Sequence, residues 1–328
     1  MEAYTSGVPA PAGRAMPSPR ISIVLPTWNG ARDLARLLPA LADQVDCGEV
    51  ELVAIDSSSQ DETCALLEAA GARLEVIPQA EFRHGATRNR AADRATGELL
   101  VFLSQDVVPA GPDFLARLTA VFDDPQVAGA TARVLPHPGD DPLTARTVLD
   151  SPEAGQVAHA RRLDPEGRMW DLPAEERVEL LRFNNVASAI RASVFREIPF
   201  PDVPFGEDFA WAARALTAGH TLRFVPEAVA YHAHDYTPRQ AFERYRIDAA
   251  FHREIHGHRL RPTVFSVARG IGFEVREDWR YLNRTHAPAK LRHLVRSVGL
   301  RGAQVLGQFW GSRGWGPDFW PDSARDAS

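Results

Sequence analysis

Apolar and polar positions along the chain alternate in a repeated two-part pattern. "ISIVLPTWN" is a short β-branched run stopped by Pro26, and "GARDLARLLPALADQ" then places Leu34, Leu37, Leu38 and Leu41 at helical spacing. "VELVAIDSSSQD" repeats the plan: Val50 to Ile55 as a buried strand, a polar turn, then a helix from about Thr63 to Ala70. "ARLEVIP" reads as a third strand, "GATRNRAADRAT" as a helix and "ELLVFLSQD" as a fourth strand. Strands alternating with helices predict an α/β fold, mainly a parallel central sheet with both faces covered. In such sheets ligands gather at the carboxyl ends of the strands, where Pro26, Asp56 and Asp106 fall.

Beyond Gly111 a helix (Phe114 to Phe122) and a strand (Ala128 to Val134) follow, then a loop rich in Pro and Asp around 136–142. "FGEDFAWAARALTAGHTLRFVPEAVAYHAH" reads as loop, helix and strand. From about Arg253 the pattern turns basic, aromatic and helical, and no internal repeat is visible. The expected division is therefore a mobile leader over 1–20, a catalytic-size domain over 21–252 and a basic helical C-terminal extension over 253–328.

Composition narrows the classes. At 328 residues and 45% hydrophobic the chain can bury a large core. Two cysteines, Cys47 and Cys64, are too few for a disulfide framework and lack zinc spacing, which points to a reducing compartment. No run of 18 apolar residues occurs, so the expected location is cytoplasmic. The net charge of −6 is unevenly spread: between Tyr281 and Gly316 there are six basic residues (Arg284, Lys290, Arg292, Arg296, Arg301, Arg313) and no acidic one. The acidic bulk of the chain would repel phosphates, so no nucleic-acid partner is expected.

Five stretches carry candidate chemistry. Asp56, just past a buried strand and followed by three serines, offers an acceptor for a nucleobase N–H or a ribose hydroxyl, whereas Ser59 or Asp61 is better read as the cap of the next helix. Arg83, His84, Arg88 and Arg90 crowd a glycine turn entering a helix, either to gather donors for an anion or as solvated helix charges. Asp106, in "FLSQDVVP", can bridge a divalent cation to phosphates, although taken alone it is better explained as a helix or loop cap. Glu207 and Asp208 stand side by side at a loop-to-helix junction, where each raises the other's proton affinity and one can serve as a general base; a favourable helix N-terminus is the plainer account. His232 and His234, alternating on an expected strand, face one side, and either could ligate a metal or, for His232, sit buried and satisfied.

The order of these signals is more specific than any of them. A strand ending in Pro-Thr-Trp-Asn, then Asp-Ser-Ser-Ser-Gln-Asp, Gly-Ala-Thr-Arg-Asn, Thr-Gly-Glu-Leu-Leu-Val-Phe-Leu-x-x-Asp, Gly-Glu-Asp and finally His resembles family 2 glycosyltransferases of the GT-A fold over residues 21–250. The resemblance implies a nucleotide pocket lined by Pro26, Thr27, Trp28, Asp56, Arg88 and Gln105, with Asp56 on the pyrimidine. It implies a divalent cation, Mn²⁺ or Mg²⁺, on Asp106 and His234. The family's Asp-x-Asp falls on Ser104-Gln105-Asp106, so its first aspartate is missing here. Asp208 would be the catalytic base, with Glu207 beside it, in a single inverting displacement. Asn184, Asn185 and Trp211 are candidates for acceptor or donor-sugar contacts.

Within the family the closing motifs look most like bacterial rhamnosyltransferases that use dTDP-L-rhamnose, with UDP or GDP sugars as other donors, to build cell-surface polysaccharide on a glycan or lipid-linked acceptor. Leu291, Leu294, Val295 and Val298 repeat at helical spacing beside Lys290, Arg292 and Arg296, which suits a peripheral contact with the inner face of the membrane, or packing on the catalytic domain or in a homodimer. The competing class is a non-catalytic nucleotide-sugar binding or scaffold relative with a decayed metal site. A nicotinamide dehydrogenase would need Gly-x-Gly-x-x-Gly after the first strand, and a nucleotidyltransferase a lysine-bearing loop; "LPTWNGARD" has neither.

Overall fold

The computed structural model describes residues 20–164 and 168–314, so the expected leader, apart from Arg20, lies outside the described residues. In chain order the elements are β1 (Ile21–Thr27), α1 (Ala31–Ala42), β2 (Val50–Asp56), α2 (Thr63–Ala69), β3 (Arg73–Val76), α3 (His84–Ala92), β4 (Leu99–Leu103), β5 (Val108–Pro109) and α4 (Phe114–Thr119). They continue with β6 (Val127–Leu135), α5 (Pro142–Leu149), β7 (His159–Arg161), α6 (Ala174–Leu181), β8 (Ala187–Arg191), α7 (Ala192–Glu197), α8 (Glu207–Thr217) and β9 (Thr221–Tyr231). Three long helices close the described chain: α9 (Pro238–His256), α10 (Val264–Arg284) and α11 (Lys290–Gly311).

The sheet runs β3-β2-β1-β4-β8-β6-β9-β5, with β7 paired to β9. Its first four strands are parallel, as the alternating pattern predicts. β8 then enters antiparallel to both β4 and β6, so the sheet is mixed in its second half. Strand order reverses beside β1, whose neighbours β2 and β4 lead the chain away in opposite directions, and that reversal opens a crevice at the strand ends. Pro26 is tolerated in this central strand because pairing with β4 stops at Val24↔Phe102, while pairing with β2 continues to Thr27↔Asp56.

One core layer packs α1, α2 and α4 on one face, around Leu34, Leu37, Leu67 and Phe114. The other packs Phe102, Phe183, Phe195, Phe200 and Trp211 beneath α3, α7 and α8. β4 is buried at all five positions because its odd and even residues serve opposite layers.

The C-terminal helices are bound to the sheet domain in two ways. α11 lies against α9 closely enough that a Cβ at Gly307 or Gly311 would fall 2.4 Å and 2.1 Å from the carbonyl oxygens of Phe242 and Arg246, so only glycine fits there. Fully buried Asp278 of α10 accepts hydrogen bonds from Arg301 of α11 on both oxygens, at 2.8 and 2.9 Å, and forms an ion pair with Arg146 of α5, whose Nε lies 2.6 Å away. Such a buried network fixes how helices meet more than it adds stability. Residues 252 and 253, where the sequence pattern changes, both lie inside α9, which caps its start with a Thr237–Gln240 capping box.

Candidate functional site

The carboxyl edge of the sheet gathers two groups of residues. The first sits in the crevice beside β1. Asp56 ends β2 fully buried and accepts hydrogen bonds from Thr27 Oγ1 at 2.8 Å, Ser59 N at 2.7 Å and Ser59 Oγ at 2.6 Å. Its oxygens are therefore held by the turn that follows it. Asp61, read as a helix cap, bonds Thr63 and the backbone of Ala31, tying the start of α2 to that of α1. Trp28 stands 49% exposed just past Pro26 and Thr27, and its peptide is pinned by one side chain. Gln105 accepts from Trp28 N at 2.8 Å and donates to Trp28 O at 3.1 Å. The expected nucleotide residue Gln105 thus acts on Trp28, a link that spacing along the chain does not reveal.

The second group lines a cavity of about 630 Å³ that holds Arg88, Asp106, Asn184, Asn185, Glu207 and Asp208. It also takes in His232 and His234, whereas Pro26, Thr27, Trp28, Asp56 and Gln105 lie outside its wall. Asp106 follows β4 and meets both histidines: His232 Nε2 lies 3.3 Å and His234 Nδ1 3.6 Å from Oδ2. One ligand atom from each of the three falls within 4.8 Å of the other two, spacing that one cation could bridge. Both histidines come just after β9, which ends at Tyr231, rather than from the strand itself. Burial raises the Asp106 carboxyl, but the His232 hydrogen bond and the two imidazoles outweigh it and hold the group below its usual value. Burial also lowers His234, which keeps the imidazole neutral and able to ligate.

Across the cavity Gly206 adopts φ +76 as the cap of α8, where a Cβ would fall 2.4 Å from the Phe251 ring. This turn delivers Glu207 and Asp208 together. Glu207 is buried and paired with Arg88 Nη1 at 2.9 Å. Arg88 also donates to His84 O, and its buried Nε–H has no protein partner. The arginine expected to meet a nucleotide therefore spends its charge first on Glu207. Asp208 accepts from Asn185 N at 3.3 Å and Phe209 N at 2.9 Å. Burial, then the neighbouring Glu207 charge, pushes its carboxyl from 3.8 up to about 7.

Asn185 is buried, bonding Glu207 through Nδ2 at 3.4 Å and Ser188 through Oδ1 at 3.1 Å, so it positions the acidic pair. Asn184 caps the turn into β8 by accepting from Val186 N, and it faces the cavity. Trp211 corrects the sequence reading. It is fully buried, packs on Phe183 with ring centroids 4.8 Å apart and donates Nε1–H to Ile198 O, so it presents no face to a sugar. α8 turns its apolar side inward, and Trp211 is on that side. Sequence reasoning did not reach Phe205, Tyr236, Arg244 and Asp248, which also line the cavity. Their only signal is Arg244 and Asp248 four apart on α9.

The glycosyl transferase family 2 model matches residues 22–169. The O-antigen chain rhamnosyltransferase RfbN of Salmonella typhimurium is 31% identical over 242 residues, covering 71% of this chain and 72% of that protein. The O-antigen chain rhamnosyltransferase WbaN of Salmonella anatum is 31% identical over 312 residues, covering 90% and 91%. Among solved structures, a mannosyltransferase from Pyrobaculum calidifontis in complex with GDP-Man and Mn²⁺ superposes with a TM-score of 0.52 at 18% identity, covering 88% of this chain and 87% of that one. That likeness reports the GT-A fold, with its mixed sheet and helical C-terminal region. The match to WbaN extends over nine tenths of both chains and past the cavity into α9, α10 and α11, and on this ground the protein belongs to glycosyl transferase family 2.

Proposed function

We propose that this protein transfers a sugar, with inversion, from a nucleotide diphosphate donor to a hydroxyl of a growing cell-surface polysaccharide or lipid-linked acceptor. The observation that carries the reading is one cavity lined by the Asp106, His232 and His234 cluster and by Asp208. L-rhamnose from dTDP-L-rhamnose is the favoured donor, supported by the names of the two Salmonella relatives.

Asp106, His232 and His234 would hold a divalent cation, and their donor set of one carboxylate oxygen and two imidazole nitrogens suits Mn²⁺ better than all-oxygen Mg²⁺. Bound there, the cation would offset the charge that develops on the leaving diphosphate. Ser104, in place of the first aspartate, leaves Asp106 as the only carboxylate for this task among the three residues of the motif.

Asp208 takes the proton from the acceptor hydroxyl as that oxygen attacks the anomeric carbon. A carboxyl near 7 is ionised enough at neutral pH to accept a proton and basic enough to hold it. Glu207 contributes by its charge: paired with Arg88 it stays beside Asp208 and raises its basicity. One displacement on the face opposite the leaving group inverts the configuration. Trp28, presented by the Gln105 clamp at the crevice, suits stacking on the base of the nucleotide.

Where the protein works follows the same reading. Among the described residues no helix is long and apolar enough to cross a membrane. α11 exposes Leu291, Val295 and Val298 at 73%, 69% and 54%, a face that suits peripheral membrane contact or a second copy. The direct test incubates the protein with dTDP-L-rhamnose, Mn²⁺ and a rhamnose-terminated acceptor and reads the anomeric configuration of the product by NMR. Inversion is expected; a product with retained configuration would remove the single-displacement mechanism.

A further inference from the structure

The cavity continues past Asp208, between α5, α9 and α11, along residues that the donor chemistry does not use. Arg244 lays its guanidinium over the Phe205 ring, 5.2 Å from the centroid, and donates Nε–H to Asp248 Oδ2 at 3.1 Å. Tyr236 packs on His234 with ring centroids 5.4 Å apart, so the row begins at the metal-ligand cluster. Arg244 and Asp208 line the same cavity.

The chemistry of this wall selects among acceptors. A pyranose offers apolar C–H faces to aromatic rings, and vicinal hydroxyls that both donate and accept. Phe205 and Tyr236 match the first need. Arg244, with both Nη groups unused by Asp248, and Asp248, with Oδ1 unused by Arg244, match the second. An anion would fare worse. Each arginine lining the cavity already has a carboxylate: Arg88 has Glu207, Arg182 has Glu153 and Glu179, Arg244 has Asp248, and Arg301 has Asp278. Asp208 adds a further negative charge close to the point of attack.

We propose that Phe205, Tyr236, Arg244 and Asp248 form an acceptor subsite for an uncharged pyranose, so that the attacked hydroxyl belongs to an existing sugar and not to a phosphate. This rests on the glycosyl-transfer reading. It also places the reaction: an earlier glycosyl transfer must supply the sugar that this protein extends.

The test uses the full chain with Mn²⁺ and dTDP and measures binding of the methyl α-pyranosides of L-rhamnose, D-mannose, D-galactose and D-glucose by saturation-transfer NMR, with farnesyl phosphate as the anionic probe. At least one glycoside is expected to bind. Arg244→Ala and the milder Asp248→Asn should each weaken it by about tenfold or more, the loss of a charge-assisted hydrogen bond. Glu243→Gln, exposed on the same helix, is the control and should change nothing. Arg244→Lys should recover little, because an ammonium neither forks nor stacks as a guanidinium does. Failure of all four glycosides to bind, equal binding in the Arg244 and Asp248 variants, or tighter binding of farnesyl phosphate than of any glycoside would each overturn the subsite. Nucleotide affinity is measured on the same samples: its absence removes the transferase reading, whereas nucleotide binding without glycoside binding removes only the subsite.

Discussion

Replacing Asp208 with asparagine should make the protein more stable relative to wild type as pH rises. The carboxyl is pushed from 3.8 to about 7 by burial and by Glu207. A group whose pKa is raised on folding contributes stability that is fully present below its unfolded value and is lost as pH climbs through the folded one. Between about pH 5 and about pH 8.5 wild type crosses the upper two units of that window, at about 1.4 kcal/mol each, so it should lose about 3 kcal/mol that an asparagine does not lose. The hydrogen bond from Asn185 N that the substitution weakens is a constant cost at both pH values and cancels in the difference. Urea melts of wild type and Asp208→Asn at the two pH values give the quantity directly. A stability gap that is the same at both would mean that Asp208 titrates as an ordinary surface carboxylate, and the reasoning about its basicity would fail. The same variant should keep nucleotide affinity and lose transfer by roughly 10²–10⁴-fold, the usual contribution of a general base.

Two further outcomes follow from the crevice and from α11. Gln105→Ala removes both hydrogen bonds that hold the Trp28 peptide, each worth about 1 kcal/mol, so nucleotide affinity should fall roughly three- to thirtyfold; unchanged calorimetric affinity would show that Trp28 needs no clamp. Leu291→Glu with Val295→Glu places two charges on the exposed face of α11, and flotation with anionic liposomes should drop if that face meets a membrane; equal flotation of both proteins, or none for either, would remove the membrane contact.

Much of the first half of the fold is legible from the sequence because β1, β4 and the last part of β2 are buried on both faces and so read as apolar runs. "ISIVL", "LLVFL" and "VAI" needed no partner to be recognised. The direction of β8 was not legible: "ASAIR" is apolar enough for a central strand, and nothing in five residues says whether its neighbours run with it or against it. Trp211 shows a different limit. An aromatic four residues from Glu207 on a helix beginning at an acidic motif falls within reach of a site, and only packing reveals that its side of α8 is the core side. Arg88 was expected at a ligand because of its motif, yet its position beside Glu207 depends on contact between α3 and α8, 119 residues apart. His232 and His234 were both legible as candidates, and their meeting with Asp106 required the fold to bring the ends of β4 and β9 together.

The central claim is that a cation on Asp106, His232 and His234 joins this protein to a nucleotide diphosphate. Calorimetric titration of dTDP, UDP and GDP, each with Mn²⁺ and again with EDTA, tests it most directly. The account predicts binding that needs the metal, tightest for dTDP, and lost in Asp106→Ala. Binding indifferent to EDTA, or no binding of any of the three, would contradict it.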